Sequence, residues 1–150
     1  MLSSCSILRK KGFFPKKHFG QNFLNSEKIA QRIAQVSVAQ DEIGQAHVLE
    51  IGAGTGALTS YLLARANCLS AVERDRDLIP ILKENFAEAI EHGTLQVIEA
   101  DAQTLHFSDF LESEPPGSLR VLVGNLPYCI TGRLLRCAVH QVDQIFDERL

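Results

Sequence analysis

No apolar run in this chain approaches the ~18 residues that a membrane-crossing helix needs, so no membrane span is expected. The four cysteines, Cys5, Cys68, Cys129 and Cys137, form no Cys-x-x-Cys pair and no zinc spacing. That scatter points to reduced thiols and a cytoplasmic setting. The five histidines are equally dispersed, so no metal site is predicted. His18 and His106 are assigned to the surface, His47 to a strand and His140 to a helix. There is no internal repeat and no low-complexity tract. The opening "MLSSCSILRKK" contains Leu-Ser-Ser-Cys, as at a lipoprotein cleavage site, but no apolar stretch precedes it. No signal peptide is read there.

A positive net charge is also absent: the total is −3, which alone does not suggest a nucleic-acid partner. The distribution says more. Residues 1–32 hold seven of the fifteen basic side chains (Arg9, Lys10, Lys11, Lys16, Lys17, Lys28, Arg32) and one of the eighteen acids, Glu27. A basic arm, residues 1–18, on an acidic body fits a polyanionic partner. A solvated terminus and a mitochondrial-type targeting peptide fit the same residues. The chain as a whole has the make-up of one globular domain, with 45% apolar and 22% charged residues over 150 positions.

The pattern after the arm alternates. "NSEKIAQRIAQVSV" reads as a helix capped by Asn25 or Ser26, with Glu27 in its first turn and Ile29, Ile33 and Val36 on one face. "HVLEIGAGTGALTSYLLARAN" is a strand, a glycine-rich turn, and a helix with Leu58 and Leu62 inward. "CLSAVERD" is a second strand. "DLIPILKENFAEAIEHG" is a helix with Leu78, Leu82, Phe86 and Ile90 at spacing four and Gly93 as its stop. "LQVIEAD" and "LRVLVGN" are third and fourth strands, separated by the turn "ESEPPGS", and "GRLLRCAVHQ" looks helical. Strands alternating with helices predict an α/β fold with a doubly wound, Rossmann-like parallel sheet of about four strands.

The turn "EIGAGTG" lets backbone pass close to a ligand through Gly52, Gly54 and Gly56. Glu73 ends the second strand 21 residues after Gly52, where an acidic side chain accepts hydrogen bonds from ribose hydroxyls. The alternative for Glu73 is a solvated strand end. Dinucleotides and S-adenosylmethionine both use this geometry. The dinucleotide fingerprint is G-x-G-x-x-G, whereas here the spacing is G-x-G-x-G with Glu50 two residues ahead, the form associated with S-adenosylmethionine-dependent methyltransferases. The third strand delivers Asp101 to the carboxyl edge of the sheet, as an acceptor for the adenine amino group or as a helix cap.

The fourth strand stops on "NLPY". Methylating an exocyclic amine of a base requires its ring-delocalised lone pair to be freed, which acceptors on both N–H groups achieve. The Asn125 side-chain oxygen supplies one acceptor and a backbone carbonyl beside Pro127 the other. Pro127 stiffens the turn and restricts Leu126. Tyr128 offers a flat face to a base taken out of its stack. A plain strand exit would explain Pro127 and Tyr128 but gives Asn125 no role.

Together, "FGQNFL", "VLEIGAGTGALT", "AVERD", "EADA" and "GNLPYCIT", in that order from about Lys16 to Arg136, resemble the ribosomal RNA adenine N6-dimethyltransferase family of the KsgA type. The resemblance implies S-adenosyl-L-methionine as cofactor, ribosomal RNA of the small subunit as partner, a role in rRNA processing, and a monomer. By the same resemblance Asn22 and Leu24 help close the cofactor site, Gly52 lies against the methionine part, Glu73 holds the ribose and Asp101 the adenine. Asn125 faces both cofactor and target amine, and Tyr128 stacks on the target adenine. Two departures stand out. "CIT" follows the tyrosine where the family usually has Asn-Ile-Ser, so Cys129 replaces an amide. The family also continues into the rest of its sheet and a C-terminal helical domain, both absent from residues 19–150, so an incomplete domain with "RVLVGN" as an exposed edge is expected. Competing readings are a methyltransferase on another amine (DNA adenine or a protein glutamine), an inactive fragment that binds only cofactor or RNA, and a nicotinamide oxidoreductase.

Overall fold

A computed structural model of the chain describes residues 26–106, 110, 118–126, 131–132 and 135–136. Four strands form one sheet: β1 (Ala46–Ile51), β2 (Cys68–Glu73), β3 (Leu95–Glu99) and β4 (Leu119–Gly124). All neighbours pair in parallel, in the order β3-β2-β1-β4. α1 (Glu27–Ser37) and a 3-10 turn at Gln40–Glu42 precede β1, and α2 (Thr59–Leu63), α3 (Ile79–Asn85), α4 (Ala87–Glu91) and a 3-10 turn at Ala102–Thr104 run between the strands. This is the doubly wound parallel sheet that the alternating pattern predicts.

β1 is central because it is apolar on both sides. Val48 faces a core shared with Leu62, Leu69 and Leu82, while Leu49 and Ile51 face a second core with Val72 and Ala102. A parallel strand covered on both faces reads as a nearly unbroken apolar run, and five of the six β1 residues are buried. β4 is less enclosed. Among the described residues it pairs with β1 alone, and Leu122 is 43% exposed.

The helices show where periodicity misleads. On α1, Ile29 and Val36 are 55% and 71% exposed, and the buried positions are Ala30 and Ala34. Ile33 is only partly buried. The inward face is therefore displaced from the predicted Ile29–Ile33–Val36 stripe: Ala30 and Ala34 join the core that holds Leu58 and Leu62, and the larger side chains turn outward. Ser26 caps α1 with its carbonyl, which accepts from Ile29 N and Ala30 N at 3.1 Å, and makes no side-chain cap.

In the predicted helix over residues 77–93, Leu78 and Leu82 are buried, and Phe86 and Ile90 are half-buried. The helix breaks at Phe86, whose backbone leaves the helical region (φ −124°, ψ 28°), giving α3 and α4. Gly93 ends the segment at φ +73°, the left-handed stop expected of it. Leu58 and Leu62 of the α2 segment are inward as predicted, at 3% and 0% exposure.

Candidate functional site

Four predicted residues meet at the carboxyl edge of the sheet. Gly52 directly follows β1, Glu73 ends β2, Asp101 lies just past β3, and Asn125 directly follows β4. The chain leaves β1 toward β2 on one side, and β4 pairs on the other. That reversal is where open α/β sheets hold ligands.

The turn after β1 folds back over the end of β2. The backbone N–H groups of Gly52 and Ala53 both donate to the Val72 carbonyl, at 2.8 and 3.1 Å. Gly52 sits at φ +74°, exposed, and a Cβ added there would face the Asn125 carbonyl at 3.8 Å. The ends of β1 and β4 thus approach backbone to backbone. Gly124 makes the approach possible, because a Cβ on it would lie 2.5 Å from the Ile51 carbonyl oxygen. Sequence reasoning did not single out Gly124. Its signal was a glycine inside an apolar strand run, which marks a close backbone approach.

Glu73 holds this corner together. It is 7% exposed, and its Oε2 accepts from Gly54 N at 2.8 Å. Its Oε1 accepts from Arg74 N and Asp75 N, both at 2.8 Å. A carboxylate offers about four acceptor positions, so three backbone donors leave one, on Oε2 beside the glycine turn. The solvated strand end considered for Glu73 does not occur.

Glu50 is more deeply placed, at 1% exposure. Thr59, the first residue of α2, donates its hydroxyl to Glu50 Oε2 at 2.6 Å. Burial pushes the Glu50 carboxyl from 4.5 up to about 7; the Thr59 hydrogen bond works against that rise, and the negative charge of Glu73 adds to it. Glu50 thus ties β1 to α2 across the glycine turn.

Asp101 is half-buried. Its Oδ1 accepts from Gln103 N at 3.0 Å, capping the 3-10 turn, and its Oδ2 lies 3.2 Å from Arg74 Nη1. The cap reading of Asp101 therefore holds, and a cofactor role would be additional to it. At the other end of the strands, the cross-strand pair His47 and Cys68 lies with Nδ1 2.8 Å from Sγ. Asn22, Leu24, Pro127 and Tyr128 lie outside the described residues, as does the basic arm. Among the described residues no group of three or more His, Cys, Asp or Glu side chains is placed to hold a metal ion. No described helix is long and apolar enough to cross a membrane.

Known proteins are similar to this chain. The ribosomal RNA adenine dimethylase family matches residues 12–146. The ribosomal RNA small subunit methyltransferase A of Magnetococcus marinus is 41% identical over 137 residues, covering 91% of this chain and 45% of that protein. Among solved structures, the 23S rRNA methyltransferase ErmE is 31% identical with a TM-score of 0.61, over 77% of this chain and 42% of its own. A dimethyladenosine transferase from Plasmodium falciparum is 25% identical with a TM-score of 0.58, over 79% of this chain and 38% of its own. The chain spans about half the length of the curated relatives it matches. With a family match running through the glycine turn, the Glu73 corner and the end of β4, the chain belongs to the ribosomal RNA adenine dimethylase family.

Proposed function

We propose that this chain uses S-adenosyl-L-methionine to methylate the N6 amino group of adenine in small-subunit ribosomal RNA, adding two methyl groups. The observation that carries the reading is the Glu73 corner: a buried strand-end carboxylate bonded to Gly54 N at 2.8 Å, with one acceptor position left beside the turn. The residues present fit the cofactor. The exposed, positive-φ Gly52 leaves open the space a side chain would fill between the turn and Asn125.

In this reading Glu73 accepts from a ribose hydroxyl, Gly52 lies against the methionine part, and Asp101 accepts from the adenine amino group. Asn22 and Leu24 close the site. S-adenosyl-L-methionine, when bound, supplies an electrophilic methyl group. The Asn125 side-chain oxygen accepts one N6–H of the target adenine, and the carbonyl beside Pro127 accepts the other. The nitrogen lone pair then points out of the ring system. Tyr128 stacks on the base and holds it out of the RNA. No strong base is required, because the departing proton is on a cationic nitrogen; these residues act mainly by positioning.

The substrate assignment rests on the relatives. The curated ones at about 40% identity are named for the small subunit, whereas ErmE, named for 23S rRNA, is 31% identical. The test is methyl transfer from labelled S-adenosyl-L-methionine to small subunits that lack the modification. Dimethyladenosine in the digested RNA is expected, with loss on Asn125→Ala. Label in DNA adenine or protein glutamine and none in ribosomal RNA would overturn the assignment.

A further inference from the structure

We infer that Arg74 is a positioning residue of the adenine subsite, holding Asp101 so that the site selects a 6-aminopurine. The inference rests on the cofactor reading above and goes beyond it, since neither the fold nor the chemistry of methyl transfer requires a cation here.

The geometry is a linked series of contacts along the carboxyl edge. Gly54 N donates to Glu73 Oε2, and Glu73 Oε1 accepts from the backbone N–H of Arg74. The Arg74 guanidinium then reaches across from the end of β2 to the end of β3, with Nη1 3.2 Å from Asp101 Oδ2. Asp101 Oδ1 is held from the other side by Gln103 N at 3.0 Å. The backbone beneath is fixed as well: Ala100 N donates to the Glu73 carbonyl at 3.1 Å, and Ala102 is 8% exposed.

An aspartate held once can turn about its broad terminal torsion; held at both oxygens, it presents fixed acceptor directions. Each oxygen retains a second acceptor position. A 6-amino group donates into such a position. A 6-oxo group offers another acceptor there, and a site built around a hydrogen bond rejects a ligand that cannot make it. The Arg74 side chain is 54% exposed and that of Asp101 31% exposed, so the contact borders solvent and is open to a ligand. Arg74 thus couples the ribose acceptor Glu73 to the purine acceptor Asp101.

The experiment is calorimetry of the 150-residue chain with S-adenosylhomocysteine and with its inosine counterpart. Wild type should prefer the adenine ligand by roughly tenfold or more. Arg74→Leu should lose about three- to fivefold for the adenine ligand, the scale of a partly exposed ion pair, with no change for the inosine ligand. Arg74→Lys should recover most of the loss. In an Asp101→Asn background, Arg74→Leu should have no further effect. Because Arg74 is exposed, melting temperatures of the ligand-free variants should match wild type. An unchanged adenine-to-inosine ratio in Arg74→Leu, or an equal loss in the Asp101→Asn background, overturns the inference. If wild type binds S-adenosylhomocysteine and Glu73→Ala weakens it while Arg74→Leu does not, the inference alone falls. No binding by wild type brings down the cofactor reading and this inference with it.

Discussion

Thr59 places its hydroxyl 2.6 Å from Glu50 Oε2, inside a region where both residues are essentially without solvent. The contact joins the end of β1 to the start of α2, so the glycine turn between them is bracketed by a buried hydrogen bond.

That carboxyl has a pH signature. Its value is about 7 in the folded chain and 4.5 otherwise, so between those values the folded state keeps a proton that the unfolded state has lost. Glu50 therefore stabilises most at or below about pH 4.5 in relative terms, and its contribution declines as pH rises through 7. The total decline is about 3 kcal/mol. Glu50→Gln removes the titration and keeps an acceptor for Thr59. Urea midpoints should coincide for the two proteins near pH 5, with the glutamine variant the more stable at pH 8. Parallel curves across that range would contradict the burial argument.

Glu73 makes a separate prediction, because it is structural before any ligand arrives. Glutamine in its place turns one acceptor oxygen into an NH₂ group that faces a backbone N–H. Glu73→Gln should cost ~1–3 kcal/mol of stability in the ligand-free chain. It should also weaken S-adenosylhomocysteine binding by a similar amount, for the lost charge-assisted bond. Thermal melts and calorimetry separate the two effects. An unchanged melting temperature would mean that Gly54, Arg74 and Asp75 find other acceptors.

The part of the candidate site that lies at the strand ends was legible because its signals are local. Gly52 and Glu73 could be placed from spacing alone, since a parallel sheet puts every strand end on one edge. Two kinds of feature were not legible. Gly124 depends on how near β4 comes to Ile51, a distance no local pattern encodes. The inward face of α1 was not legible either: Ile29 and Val36 outrank Ala30 and Ala34 in hydrophobicity, yet the alanines are the residues that enter the core. The break at Phe86 was hidden too, because the spacing-four pattern continues through it.

Phe86 crowds the far end of the glycine turn. A Cβ on Gly56 would lie 2.2 Å from Phe86 Cε2, and the residue sits at φ +89°. Gly44 has a similar φ of +75° with nothing within 4 Å, so it isolates the backbone cost. Gly44→Ala should lose about 1 kcal/mol. Gly56→Ala should lose that plus a further ~1–3 kcal/mol for the clash, and Phe86→Leu combined with it should recover part of the excess. Equal losses at Gly44 and Gly56, read by urea denaturation, would show that the ring moves aside freely.

The basic arm supplies the last prediction. Arg9, Lys10, Lys11, Lys16 and Lys17 precede the described residues and stand on a chain of net charge −3. Each phosphate they neutralise releases condensed counterions, so the logarithm of RNA affinity should fall linearly with the logarithm of salt. The slope is about 0.7 per phosphate for single strands and about 0.9 for B-form duplex DNA. If all five contact phosphates, deleting residues 1–17 should reduce the slope by roughly 3.5 to 4.5. Filter binding or anisotropy between about 50 and 200 mM salt covers a range wide enough to read this difference. An unchanged slope would remove the arm from the RNA interface and leave it as a solvated or targeting segment.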